Sequence, residues 1–205
     1  MALQPDLQTF FEQPALQLAP ALLGCELVVT DEAGQKAGGI IVETEAYGQE
    51  DEASHCFKGQ TKRNAAMFDA GGALYVYFTY GMHLCVNIVS GQKGHGEGVL
   101  IRALEPTVGS ELMWQRRFKH ELPAEPPRAK TIQLTNGPAK LAQALGISLT
   151  DNHVRINTTS RCSLRLPHQP YSKNAIVQTT RVGISKAINE PWRWYVKGSA
   201  FVSKG

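Results

Sequence analysis

The chain has 205 residues, 42% hydrophobic and 19% charged, which excludes a disordered segment and suffices for a buried core without metal or disulfide staples. No apolar run approaches the roughly 20 residues that span a bilayer, and the opening MALQPDLQTFFEQ lacks the basic start and apolar stretch of a secretory signal, so no membrane partner is expected. The formal charge of +3 hides an asymmetry: residues 1–60 carry 2 Lys+Arg against 10 Asp+Glu and residues 61–205 carry 19 against 8, which suggests a polyanion contacted by the later part.

Residues 6–23 read as helical pieces interrupted at Pro14 and Pro20, with Gly24 as a C-cap. A short strand over 25–30, a turn over 31–34 and a second strand over 37–47 follow. Residues 48–72 are polar and Gly-rich, with a short helix near 64–68. Strands over 73–79 and 83–90 are separated only by Tyr80, Gly81 and Met82, so they should pair as a hairpin. A Gly/Lys loop over 91–98 leads into a strand over 99–104. Ser110 then caps a helix reaching about residue 120, a Pro-rich loop covers 122–128, and Pro138 opens a helix that Gly146 ends. The rest leans to β structure. The expected fold is α+β: a single domain over 1–205 with a mostly antiparallel curved sheet, surrounding helices and a protruding hairpin.

Side chains alternate faces along a strand. In the second strand Ile40, Val42, Thr44 and Ala46 form one face, and Ile41, Glu43, Glu45 and Tyr47 the other. The three-residue hairpin loop predicts pairs 79:83, 77:85 and 75:87, which puts Tyr75, Tyr77 and Asn87 on one side. In the strand over 99–104, Val99, Ile101 and Ala103 suit the core, leaving Arg102 opposite with Leu100 and Leu104. A face holding Glu43, Glu45, Tyr47, Tyr75, Tyr77, Asn87 and Arg102 is either an ordinary solvated surface, a structural Glu–Arg pair under tyrosines, or a site. Tyrosines bury large area, which argues against a merely solvated face. The inventory suits a flat aromatic ligand stacked between rings and attacked by a carboxylate-activated water. Tyr80 and Met82, at a hairpin tip, suit a wedge into a base stack.

Cys25, Cys56, Cys85 and Cys162 lie far apart, without the short spacings of a zinc site, so no metal or cofactor is expected. A cytoplasmic or nuclear setting is expected.

IVETEAY (41–47), DEASH (51–55), TKRNAAMF (61–68), LYVYFTYGMHLCVN (74–87) and VLIRALEP (99–106) together resemble the alkyladenine, or 3-methyladenine, DNA glycosylases. NGPAKL (136–141), RVGI (181–184) and WRWYVKGSAFVS (192–203) are similar to that family's later blocks. The resemblance implies a monofunctional base-excision repair enzyme that flips alkylated or deaminated purines from damaged double-stranded DNA and hydrolyses the N-glycosidic bond, acting as a monomer. It makes Glu45 the general base and Arg102 a holder of the attacking water. It places Tyr47 on one face of the base with His55 and Tyr77 on the other, and gives Asn87 the task of clashing with the 2-amino group of guanine. Tyr80 would fill the gap in the duplex, Met82 and His83 would lie in the minor groove, and Arg63 would contact DNA. Lys62, where proline is common, and Ala200-Phe201, where Pro-Trp is common, depart from the family pattern.

Two rivals remain. One is a non-catalytic nucleic-acid-binding module, which would have no need of Glu45. The other is a carbohydrate hydrolase using Glu43 and Glu45, although residues i and i+2 of a strand lie about 7 Å apart and point the same way.

Overall fold

A computed structural model describes residues 6–79, 81–157 and 160–203. Tyr80, the proposed wedge, lies outside the described residues. The elements in chain order are α1 (Leu7–Phe11), α2 (Ala15–Ala21), β1 (Glu26–Thr30), β2 (Lys36–Tyr47), β3 (Leu74–Thr79), β4 (His83–Val89), β5 (Gly98–Val108), α3 (Ser110–Phe118), α4 (Arg128–Ile132), α5 (Pro138–Leu145), β6 (Cys162–Arg165), β7 (Ile176–Thr179) and β8 (Arg193–Val196). A single 3-10 turn, Ala65–Phe68, interrupts the loop between β2 and β3.

All eight strands form one antiparallel sheet, ordered β3-β4-β5-β2-β1-β6, with β8 joined to β2 and β7 to β8. The fold is α+β, as expected. The hairpin register is also as expected: Thr79 faces His83, Tyr77 faces Cys85 and Tyr75 faces Asn87.

Strand β2 organises the molecule. One of its edges pairs with β5 along most of its length. The other is shared: β1 takes residues 36–40 and β8 takes residues 43–45. Where one partner gives way to the next, the β5 pairing skips Val42, because Ile41 faces Leu104 and Glu43 faces Ala103. The bulge adds a residue and breaks strict alternation. Ile41 and Val42 therefore both enter the core, while Glu43 and Glu45 turn to the opposite face. This corrects the assignment of Ile41, and of Leu104 across from it, to the polar face. Gly39 allows the crowded crossing just before it, since a Cβ there would lie 2.2 Å from the Glu105 carbonyl oxygen.

The helices depart from expectation in four places. Pro20 lies inside α2, in its last turn, and Leu22, not Gly24, is the C-cap of α2. Gly109, in the left-handed region, is the N-cap of α3, so Ser110 is its first helical residue, and Lys119 closes it. A Cβ on Gly109 would sit 2.0 Å from the Lys36 carbonyl oxygen. Helix α4 follows Pro127, taking Arg128 from the end of the expected loop and extending into a stretch to which no element was assigned. Strand β5 continues through Pro106 to Val108, because Pro106 sits at a second register shift, opposite Gly39. Pro138 does open α5 and Gly146 ends it.

The main core packs α2, α3 and α5 on one face of the sheet through Leu18, Leu22, Ile41, Ile88, Ile101, Leu104, Trp114, Leu141 and Leu145. Each such side chain contributes about 1.5–3 kcal/mol on burial. A smaller cluster of Cys56, Ala66, Met67, Phe68, Ala73, Tyr75 and Val89 forms separately, with Tyr77 packed against it. That second cluster is the floor from which the candidate site is built.

Candidate active site

A cavity of about 760 Å³ opens over the polar face of the sheet. Its walls come from distant parts of the chain. Tyr75, Tyr77, Cys85 and Asn87 come from the hairpin, and Leu100 and Arg102 from β5. The segment 136–140, which leads into α5, is drawn across by a bridge between Asn136 and Ala103. The loop 182–186 is tied down where Val182 N–H donates to Glu45 Oε1 at 2.8 Å.

Glu45 lies just beneath the wall and is fully buried. Its Oε1 receives Val182 N–H and faces Arg102 Nη1 at 3.2 Å, while Oε2 accepts the Tyr47 hydroxyl at 2.8 Å. Every described partner donates, so the niche is shaped for a carboxylate. Burial works against the Arg102 cation, but Glu45 and Glu43 outweigh it and raise its pKa above the ordinary arginine value. Burial, then the Glu45 charge, hold the Tyr47 phenol well above the usual tyrosine range.

Glu43 is equally buried but does a different job. Its Oε1 accepts Arg102 Nε at 3.0 Å, Arg193 Nε at 2.7 Å and the Ser203 hydroxyl at 2.9 Å, and its Oε2 accepts Ser203 N–H at 2.6 Å. It locks β8 and the segment ending at Ser203 onto β2. Its bonds to Arg102, Arg193 and Ser203 commit it to holding the fold, which argues against a Glu43–Glu45 carbohydrate-hydrolase pair.

The aromatic wall is ordered by ring contacts. Tyr75 and Tyr77 stack with centroids 5.2 Å apart, and His55 meets Tyr77 edge-on at 4.6 Å. The His55 Nδ1 lies 2.9 Å from the Tyr75 hydroxyl. Partial burial, then the Arg63 cation, lowers the His55 pKa from the ordinary histidine value. Burial raises Tyr75 to about 12. Asn87 is fixed through Nδ2, which donates to the Tyr75 carbonyl at 3.2 Å.

Of the residues singled out from sequence, Tyr47, His55, Tyr77, Asn87, Arg102, Arg63 and His83 all line this one cavity. Glu45 touches it from behind through Tyr47 and Arg102. Met82 stands apart at the hairpin tip, 75% exposed.

The family described as methylpurine-DNA glycosylase (MPG) matches residues 9–200. The chain belongs to the methylpurine-DNA glycosylase family. It is accordingly an enzyme of the class that hydrolyses N-glycosyl bonds. It is 45% identical over 197 residues to a protein of Methanoculleus marisnigri, covering 95% of this chain and 96% of that one. It is 43% identical over 200 residues to a protein of Francisella tularensis, covering 97% and 98%, and 45% identical over 197 residues to one of Agrobacterium fabrum, covering 96% and 91%. All three carry the name "Putative 3-methyladenine DNA glycosylase".

Several residues that build the candidate site stand outside those singled out from sequence. Arg181, Asp51, Arg193, Ser203 and Val182 received no role, although each closes a contact to β2 or to the loop after it. A signal was present: Arg181 and Arg193 stand in the RVGI and WRWYV blocks, beside apolar and aromatic residues. The charge asymmetry also changes meaning. Arg102, Arg116, Arg165, Arg181 and Arg193 of the basic part pair with Glu43, Glu45, Asp31, Glu26 and Asp51 of the acidic part. Much of the apparent polyanion signal is therefore the two parts of the chain neutralising each other. Among the described residues no helix is long and apolar enough to cross a membrane.

Proposed function

We propose that the protein is a monofunctional base-excision repair glycosylase, acting as a monomer, that flips alkylated or deaminated purines out of duplex DNA and releases them with water. The observation that carries this is the Glu45 carboxylate, set against an aromatic-walled cavity and held by Arg102. Oε1 already receives Val182 N–H and faces the Arg102 guanidinium, and so has little capacity left. Among the described residues Oε2 meets only the Tyr47 hydroxyl, so one of its lone pairs remains to take a proton from water. That oxygen is the general base, and Arg102, which also lines the cavity, helps hold the water it activates.

The cavity volume lies within the usual range for small-ligand sites and accommodates a purine. Tyr47 covers one face of the base, and His55 and Tyr77 cover the other. Electron-rich rings attract a cationic alkylpurine by about 0.5–2 kcal/mol. The hairpin carrying Met82 and His83 enters the minor groove, Tyr80 fills the vacated stack, and Arg63 contacts the backbone. Flipping costs a few kcal/mol, least at a damaged pair, which adds to selection. A non-catalytic stacking module would have no use for a buried carboxylate so placed. An excision assay over a panel of lesion duplexes tests the proposal, and release of none of the modified purines would end it.

Asn87 is the gate against normal guanine, since its amide is pinned by Tyr75 and cannot swing aside. Asn87→Ala should gain slow release of undamaged guanine, measured on an unmodified duplex. An unchanged guanine blank would remove that role.

With five arginines committed internally, DNA affinity falls to the cations left at the cavity rim and beyond, Arg63 and Lys186 among them. Raising salt from 50 to 200 mM should weaken duplex binding roughly 100-fold for about four phosphate contacts. Titration of a labelled duplex measures the slope, and a flat response would exclude phosphate-driven binding.

A further inference from the structure

Tyr47 is held from behind by an arrangement that the reaction does not itself use. The Arg181 guanidinium lies over the Tyr47 ring, 4.6 Å from its centroid, and over the Trp192 ring at 4.9 Å. Arg181 does not line the cavity, whereas Tyr47 does, so the ring face it covers is turned away from the cavity. The guanidinium is buried and forms a bidentate pair with Asp51, Nη1 to Oδ2 and Nη2 to Oδ1, and it also donates to the Ala46 carbonyl at 3.0 Å. Ala46 and Val182, the neighbours of Tyr47 and Arg181 in the chain, are each bound across the same gap. Tyr47 thus has a planar, hydrogen-bonded plate on one face and the cavity on the other.

We infer that Asp51 keeps this pocket open to cationic bases, by cancelling the charge of the Arg181 guanidinium that fixes Tyr47 from behind. The inference rests on the glycosylase reading for the identity of the ligand. Asp51 and Arg181 are positioning residues, because neither reaches the base and both act through Tyr47. An arginine is suited to the task because its flat guanidinium stacks on rings as an ammonium cannot. Alone, however, it would draw electron density from the ring and repel a second cation across it. With a base stacked on the open face, the two charges would stand about 8 Å apart, and at an effective dielectric near 20 their repulsion corresponds to roughly 30-fold in affinity. Asp51, paired to both Nη atoms, removes that penalty and leaves the rigid plate.

The test compares two bases of the same shape and different charge. One duplex carries cationic 7-methylguanine on an excision-resistant 2′-fluoro sugar, and the other carries neutral 7-methyl-7-deazaguanine. Both keep the 2-amino group, so any contact with Asn87 cancels in the ratio of their dissociation constants. Relative to wild type, Asp51→Asn should shift that ratio about 10- to 30-fold against the cationic base. The double variant Asp51→Asn with Arg181→Met, which removes both charges, should restore it. A merely structural role would weaken both duplexes equally, and an unshifted ratio in folded Asp51→Asn overturns the inference. Should Asp51→Asn fail to fold, Arg181→Gln decides: the anion left behind Tyr47 should move the ratio toward the cationic base, and a ratio equal to wild type overturns the inference. The glycosylase reading is tested separately by release of 7-methylguanine from an ordinary duplex by the wild-type enzyme, and its failure there is distinct from any result on the ratio.

Discussion

Glu45→Gln should reduce single-turnover excision of 3-methyladenine or hypoxanthine by about 10²- to 10⁴-fold, the usual contribution of a positioned general base. Affinity for the lesion duplex should stay within a few-fold of wild type. The geometry makes this a clean substitution. The glutamine oxygen can replace Oε1, where Val182 N–H donates and Arg102 Nη1 lies 3.2 Å away. Its amide nitrogen then takes the place of Oε2 and donates to the Tyr47 hydroxyl, which reverses its role from donor to acceptor. Shape and packing survive; what is lost is the oxygen that accepts a proton from water and one of the two counter-charges of Arg102, which Glu43 still pairs. A Glu45→Gln protein within tenfold of wild type would sink the assigned mechanism.

Glu43→Gln should behave in the opposite way, with a large effect on stability. Here only the Ser203 hydroxyl can reverse, and it shares Oε1 with two guanidinium groups that cannot. Oε1 receives two guanidinium N–H groups and a hydroxyl, and Oε2 receives the Ser203 backbone N–H. An amide nitrogen at either position meets a donor with a donor, and two buried arginine contacts lose their counter-charge. Removing one member of such a pair costs about 3–5 kcal/mol. For a chain of this length that corresponds to a fall in Tm of about 6–20 °C. Thermal unfolding of Glu43→Gln beside Glu45→Gln measures it. A Tm unchanged within 2 °C would mean that Glu43 does not anchor β8 and the segment ending at Ser203. The two glutamates stand two residues apart on one strand and are chemically alike, yet only one is suited to catalysis. Whether its partners can accept as well as donate makes the difference.

The hairpin was legible because its cause is local. A three-residue connection fixes the register, and alternation then places Tyr75, Tyr77 and Asn87 together. The segregation of Glu43, Glu45 and Arg102 onto one face was legible for the same reason, and those residues do meet. Alternation failed at Ile41 and Leu104. The bulge at Val42 arises where β1 and β8 share an edge of β2, and no local signal announces that. Pro20 misled in the same manner: a proline normally interrupts a helix, but in the last turn of α2 it is tolerated. Helix α4 follows a Pro-rich stretch and buries none of its residues, so it shows little of the periodic pattern by which helices are read.

The sequence by itself determined the α+β class, the hairpin and its register, and the residue types that line the cavity, because strand alternation and turn chemistry act over a few residues. Motif order also carried the family resemblance. The tertiary structure alone decided which partners close the site. Val182 reaches Glu45 across 137 positions, Ser203 reaches Glu43 across 160, and Arg181 reaches Asp51 across 130. Such pairs follow from which strand edge remains open for the last third of the chain, a property of the whole sheet. The charge asymmetry is the clearest case. In sequence it resembled a surface awaiting a polyanion, and in the fold it is in large part a set of arginines returning to the carboxylates of the first third, since a buried charge must find its counter-charge wherever the chain brings one.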